Sequence, residues 1–231
     1  MFLQDIAPSP SASGAPRPAI TELLHCSATR RLTVVAPHPD DETLAAGGLI
    51  FDLTRAGWHV SVVVVTNGAA SHLDVRNLRT IRESECRKAV RTLGLTEPPT
   101  FLGFPDGETD ANTVVIAAAL RKAVGTVDVI VGPRADDWHS DHRATAKALD
   151  IAFDASGPAR LHYAVWGWEQ LSVDELNIGA GETFEASPAA VDAKKRALQH
   201  YESQTTEQYG RVILSDAMVQ RHTSSTEVFW W

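Results

Sequence analysis

The chain has 231 residues and a formal net charge of -8, enough length for one α/β domain with a sizeable core, and no basic excess to suit a nucleic acid as partner. Its two cysteines, Cys26 and Cys86, show no CxxC spacing and are too few for a disulfide framework, so a reducing cytoplasm is the expected location. The first residues lack a basic and apolar leader pattern, and no run approaches about 18 uninterrupted apolar residues, so neither secretion nor a membrane is expected.

Residues 7–19, APSPSASGAPRPA, offer little side chain to bury. Residues 1–19 are therefore expected to form a flexible arm ahead of a single domain over 20–231. RLTVVAP (31–37) and HVSVVVVT (59–66) read as buried strands, and LAAGGLIFDLTRAG between them as a helix, which makes a βαβ unit. There follow a helix over 75–94, a strand over 100–104, a helix over 113–124, a strand over 127–133, a helix over 143–155 and a strand over 160–168. Residues 169–187 read as irregular or short β structure, and 189–204 return to helical spacing. The alternation predicts an α/β fold with a mainly parallel sheet and helices on both faces. Ligands in such folds sit beyond the carboxyl ends of the strands.

Two segments rich in metal-ligating residues are expected at that edge. PHPDDE (37–42) follows the first strand, and DDWHSDHRA (136–144) follows the strand at 127–133. Charged groups at a strand end cost solvation energy unless something pairs with them, and a cation suits histidines mixed with carboxylates. His38, Asp41 and His142 would supply the three protein ligands of an open zinc or similar divalent site. Asp40 would then be spare beside a ligand, placed to act as a base, and His139 spare on the opposite side.

Plainer readings stand beside these. Asp40 or Asp41 could cap the helix that begins near Thr43. Arg82 and Glu85, three apart on a helix, could be a surface pair. Asp106 in PDG suits a turn. His25, His59, His72, His162, His200 and His222 have no partner motif and read as satisfied or surface residues. AAGG (45–48) is no dinucleotide-binding turn, because no G-x-G-x-x-G follows the first strand and acids stand where a pyrophosphate would lie. Trp166 falls in a predicted strand and is expected in the core, whereas Trp138, directly before His139, has the better claim to border the site.

APHPDDE (36–42) together with HSDH (139–142) resembles the PIG-L superfamily, also called LmbE-like. RESECRKAVRTLG (82–94), FLGFPDG (101–107) and ALQHYESQ (197–204) are similar to further segments of that family, so the likeness spans roughly residues 30 to 204. The resemblance implies a Rossmann-like α/β fold and a zinc-dependent deacetylase that removes N-acetyl or other small N-acyl groups from amino sugars and their conjugates. It implies His38, Asp41 and His142 as zinc ligands and Asp40 as general base. His139 would stabilise the oxyanion and protonate the departing amine, with Asp141 orienting it and raising its pKa. Arg79 or Arg82, Asp106 and Trp138 are the candidate substrate contacts. The expected partner is a small amino sugar or glycoconjugate, and a homo-oligomer is compatible with the sequence. The alternative is a zinc amidase for a thiol conjugate or another non-sugar amide. A catalytically silent metal-binding domain is disfavoured, since a structural site would need neither Asp40 nor His139.

Overall fold

Runs of Val and Ile become the centre of a five-stranded sheet in the computed structural model, which describes residues 19–72, 74–154, 156–167 and 181–231. Its strands are β1 (Arg31–Ala36), β2 (His59–Thr66), β3 (Thr100–Phe104), β4 (Val129–Pro133) and β5 (Ala159–Tyr163), in the order β3-β2-β1-β4-β5. All four pairings are parallel. Side chains alternate across the sheet, so each strand feeds two cores. Leu32, Val34, Val62 and Val64 pack with helices α2 (Asp41–Arg55), α3 (Leu78–Thr92) and α6 (Pro188–Leu198). Val35, Val63, Val65 and Ile130 meet α4 (Thr113–Val124) and α5 (Ser140–Ala152) on the other face. The expected sheet with helices on both faces is therefore present.

Chain direction across the sheet reverses between β1 and β4, which leaves a crevice beyond their carboxyl ends. The loop 37–40 leaves β1 there and the loop 134–139 leaves β4.

Elements near the chain ends depart from the sequence reading. A short helix α1 (Ile20–Cys26) precedes β1, and the helical stretch expected over 189–204 is divided into α6 and α7 (Glu202–Thr205). α8 (Asp216–His222) and β7 (Thr226–Phe229) follow it, and β7 pairs antiparallel with β6 (Glu182–Glu185), which falls in the stretch 169–187 where short β structure is expected. The strand expected over 160–168 ends at Tyr163, and the chain then turns toward the crevice, where Val165 N–H donates to Asp137 (3.4 Å). Trp230 exchanges backbone hydrogen bonds with His162 (2.6 and 2.8 Å), so the chain's end covers part of the β5 edge. The expected arm over 1–18 and the segment 168–180, with Trp168, lie outside the described residues.

AAGG has a packing role. Ala46 leaves helical geometry (φ -136°, ψ 18°) and kinks α2. The N–H groups of Gly48 and Leu49 donate instead to the Glu227 carboxylate (2.7 and 2.9 Å). Glu227 is ion-paired with Lys194 at 2.7 Å, both buried. A Cβ at Gly47 would lie 2.9 Å from Lys194 Cγ, and one at Gly48 2.6 Å from Ala186 Cβ, so the glycine pair lets α6 and β7 close on α2.

Candidate active site

The two loops meet in a cluster of three imidazoles and four carboxylates, in which His139 is only partly buried. Ring nitrogens of His38, His139 and His142 lie within 4.8 Å of one another. Asp41 Oδ2 sits between two of the rings, 3.2 Å from His38 Nδ1 and 3.1 Å from His142 Nε2. Asp137 Oδ2 is 3.3 Å from His142 Nδ1. Both ring nitrogens of His142 are buried, and neither makes an aligned hydrogen bond. A buried imidazole with no aligned partner, facing a carboxylate shared with a second imidazole, fits a divalent cation.

The charges of the cluster follow from burial set against neighbours. Burial opposes protonation of His38 and His142, yet the Asp141 and Asp41 carboxylates raise the first to about 9, and Asp41 and Asp137 raise the second to about 10. Burial would raise Asp41, but the two imidazoles hold it well below the usual carboxylate range. Asp40 goes the other way. Burial pushes it up to about 7 against the pull of Arg82.

Asp40 is held rigidly. Arg82 reaches it from α3, with Nη2 donating both to Asp40 Oδ2 (2.9 Å) and to the Pro39 carbonyl (2.9 Å), while Nη1 donates to the Gly68 carbonyl (2.9 Å). Of the two arginines weighed from sequence, only Arg82 enters the site. Arg79, on the outer face of α3, is half exposed and pairs with Glu83 at 2.8 Å. The helical spacing of three puts the two arginines side by side, but Arg82 lies on the face turned toward β1.

Asp141 and His139 are arranged differently from the expectation. The Asp141 carboxylate lies on His38 Nε2 (2.9 Å), not on His139, because Gly107 N–H (3.0 Å to each oxygen) and Thr109 Oγ1 (2.6 Å) draw it toward the loop after β3. His139 caps α5 instead. Its Nδ1 accepts from the Asp141 backbone N–H (3.2 Å), so in the neutral ring the proton sits on Nε2. Its pKa is lowered to about 4 by burial and by the neighbouring His38 and His142, the reverse of the shift expected from Asp141.

Asp106 uses both oxygens on the loop after β2, accepting from Gly68 and Ala70 N–H (2.8 Å each). The PDG turn thus braces two site loops, Asp106 one way and Gly107 the other, with Gly107 at φ +77°. Trp138 is 59% exposed at the rim, and Arg143 Nη1 fixes its loop by donating to the Asp137 (2.9 Å) and Trp138 carbonyls. Trp166 is no pure core residue. It is half-buried, and its ring centroid lies 6.3 Å from that of His139.

Asp137 is not among the residues expected at the site, although the doublet Asp136-Asp137 just ahead of His139 resembles the pair Asp40-Asp41 just after His38. Asp136 pairs with Arg134 at 2.5 Å, leaving Asp137 for His142 and the His139 N–H (2.9 Å).

Fold and site together define a parallel α/β protein with a His/carboxylate cluster able to hold a metal at its topological switch point. The family model described as GlcNAc-PI de-N-acetylase matches residues 33–153, and the chain belongs to this PIG-L family. A relative from Mycolicibacterium gilvum, named 1D-myo-inositol 2-acetamido-2-deoxy-alpha-D-glucopyranoside deacetylase, is 28% identical over 236 residues, covering 77% of this chain and 82% of its own. A Bacillus cereus protein named probable N-acetyl-alpha-D-glucosaminyl L-malate deacetylase 2 is 30% identical over 131 residues, 52% of this chain and 59% of its own. Among solved structures, the deacetylase of the antimicrobial A40926 pseudoaglycone superposes with a TM-score of 0.72 at 19% identity, covering 88% of this chain and 97% of its own. That likeness bears on the fold. No helix among the described residues is long and apolar enough to cross a membrane.

Proposed function

We propose that the protein is a zinc-dependent N-deacetylase that frees the amine of an N-acetylglucosaminyl conjugate. The observation that carries the reading is Asp40. It is a buried carboxylate beside a metal-binding group, clamped by Arg82, and a purely structural site has no use for it.

His38, Asp41 and His142 would hold the ion, which supplies Lewis acidity toward the amide carbonyl and a more acidic water. Asp40 Oδ takes the proton of the attacking water. His139 donates its Nε2–H to the oxyanion that develops on the carbonyl, a role suited to a neutral ring whose Nδ1 is already occupied. With Nδ1 occupied by a backbone N–H, the ring has no free nitrogen for a second proton, so amine protonation falls to Asp40 rather than His139. As the C–N bond breaks, Asp40 returns its proton to nitrogen, and acetate and the free amine depart. Asp141, through His38, and Asp137, through His142, orient the ligand rings.

Substrate selection rests on the rim. The named relatives share an acetamido sugar and differ in what it is joined to, inositol or malate. Trp138, exposed at the rim, would serve as a platform for the sugar or its aglycone. A conjugate should therefore be turned over better than free N-acetylglucosamine, because binding remote from the amide orients it at the metal. Two free cysteines support a cytoplasmic location.

The test is acetate release after chelation and zinc reloading, from a neutral N-acetylglucosaminide, the free sugar and a non-sugar acetamide. Zinc-restored hydrolysis, abolished by Asp40→Asn with metal retained, is expected. A metal-loaded protein that hydrolyses only the non-sugar amide would refute the sugar assignment.

A further inference from the structure

Asp40 has a backbone conformation that a residue with a Cβ rarely adopts, φ +147° and ψ -30°. The other non-glycine residues at positive φ among those described, Arg30 and Asn77, lie at 51° and 62°, near the ordinary left-handed helical region. Turning over the peptide plane between Pro39 and Asp40 would return Asp40 to negative φ, so something must hold that plane. Both of its ends are held. Arg82 donates to the Pro39 carbonyl at 2.9 Å, and the Asp40 N–H donates to Glu42 Oε2 at 3.1 Å.

Glu42 is itself completely buried, two residues past the amide it accepts from. Its other oxygen, Oε1, takes the hydroxyl proton of Thr43 (2.7 Å) and that of Tyr201, which comes from the turn between α6 and α7. Tyr201 is fully buried and lies outside the segment 33–153 that the family model matches. A carboxylate in this place without those two donors would be a buried, half-satisfied charge free to turn away from Asp40.

We infer that Tyr201 is a positioning residue for the general base: by fixing Glu42 it holds the Pro39–Asp40 peptide in its strained orientation and so aims the Asp40 carboxylate into the site. This rests on the reading of Asp40 as the base, but its structural half can be measured apart from any reaction. The C-terminal segment, remote in sequence from both metal motifs, thereby becomes part of what makes the first motif competent.

The experiment compares Tyr201→Phe, Glu42→Leu and Glu42→Gln with wild type. Hydrogen exchange of the Asp40 amide, followed by NMR on metal-free protein, should be slow in wild type. It should quicken at least about tenfold in Tyr201→Phe while amides of β1 and β2 stay protected. In zinc-loaded protein, kcat should fall about ten- to a hundredfold, as expected for a misaimed group, with KM and bound zinc unchanged. Glu42→Leu should do the same. Glu42→Gln should restore much of both signals, since its amide oxygen still accepts from Asp40 and its NH2 can donate to Tyr201. Should Tyr201→Phe not fold, Thr43→Val removes the other hydroxyl from the same oxygen and carries the same expectation. Asp40 protection at the wild-type level in folded Tyr201→Phe, Glu42→Leu or Thr43→Val overturns the inference, and so does an unchanged kcat in any of these three when the wild type is active. A wild type inactive on every N-acetylated sugar overturns the proposed function instead, and the exchange result still decides the bracing.

Discussion

Replacing Arg82 with Met removes the guanidinium that holds Asp40, Pro39 and Gly68 together, in a place where the Arg82 and Asp40 side chains are only 3% and 6% exposed. Breaking a buried ion pair by deleting one partner costs about 3–5 kcal/mol when the survivor stays charged. Asp40 has another course open to it. Burial already raises it to about 7 with Arg82 present, and without that charge it rises further and takes up a proton. Its folded pKa lies above the unfolded value of about 3.9, so the group's contribution to stability is fully present at acid pH and is lost as pH rises through the folded pKa. The loss begins near the unfolded value and is complete just above 7 in wild type, whereas in the variant it runs on to higher pH, so the two diverge above about 7. The variant's ionic penalty should therefore be small at pH 5.5 and grow toward pH 8.5, approaching the full 3–5 kcal/mol only where Asp40 is forced to ionise. Urea unfolding of metal-free wild type and Arg82→Met at the two pH values measures this. In the loaded enzyme the acid limb of kcat/KM, which reports the ionised base, should move to higher pH. Arg82→Lys keeps the charge but not the fork, and should shift the limb less. A destabilisation equal at both pH values, with an unmoved acid limb, would refute the coupling of Arg82 to Asp40.

His139→Ala should keep bound metal and lose about 10²–10³-fold in kcat, the usual loss for one oxyanion donor; loss of metal on elemental analysis would instead make His139 a ligand. Trp138→Ala should raise KM for a glycoconjugate several-fold and leave KM for the free monosaccharide nearly unchanged if the indole meets the aglycone, which steady-state kinetics on the two substrates will show. Lys194→Met leaves buried Glu227 to the Gly48 and Leu49 N–H groups alone. It should cost about 3–5 kcal/mol with kcat unchanged below the melting transition, as calorimetry and assay together would reveal.

The central sheet was legible because its signals are local. HVSVVVVT is bounded by Gly57 on one side and Asn67-Gly68 on the other, and β2 occupies His59–Thr66 as expected. TFLGF and TVVIAAALRKAV likewise give β3 and α4 at the expected limits. The ends of the chain were not legible, since α1, α8 and β7 are short and owe their stability to partners far along the sequence. Ile20 N–H donates to Glu182 (2.6 Å), and β7 is stapled to α2 through Glu227. Ser187 caps α6 and bonds Asp52 across 135 residues. No window of sequence contains both halves of such contacts.

The site divides along the same line. Residue types and their strand-end placement show in the sequence, because a metal cluster needs several His and carboxylate groups and a parallel sheet brings such loops to one edge. Which carboxylate faces which imidazole does not show there. Asp141 stands next to His142 and two residues from His139, and from spacing alone it belongs with them. The structure draws it instead to Gly107 and Thr109, because a buried carboxylate takes the donors that a neighbouring loop offers. The backbone N–H left at the start of α5 then falls to His139 Nδ1. One loop after β3 thereby decides the tautomer of a histidine that lies 32 residues beyond Gly107 in the chain. It follows that lengthening or stiffening the PDG turn should alter how His139 donates its proton without touching any residue of the two metal motifs.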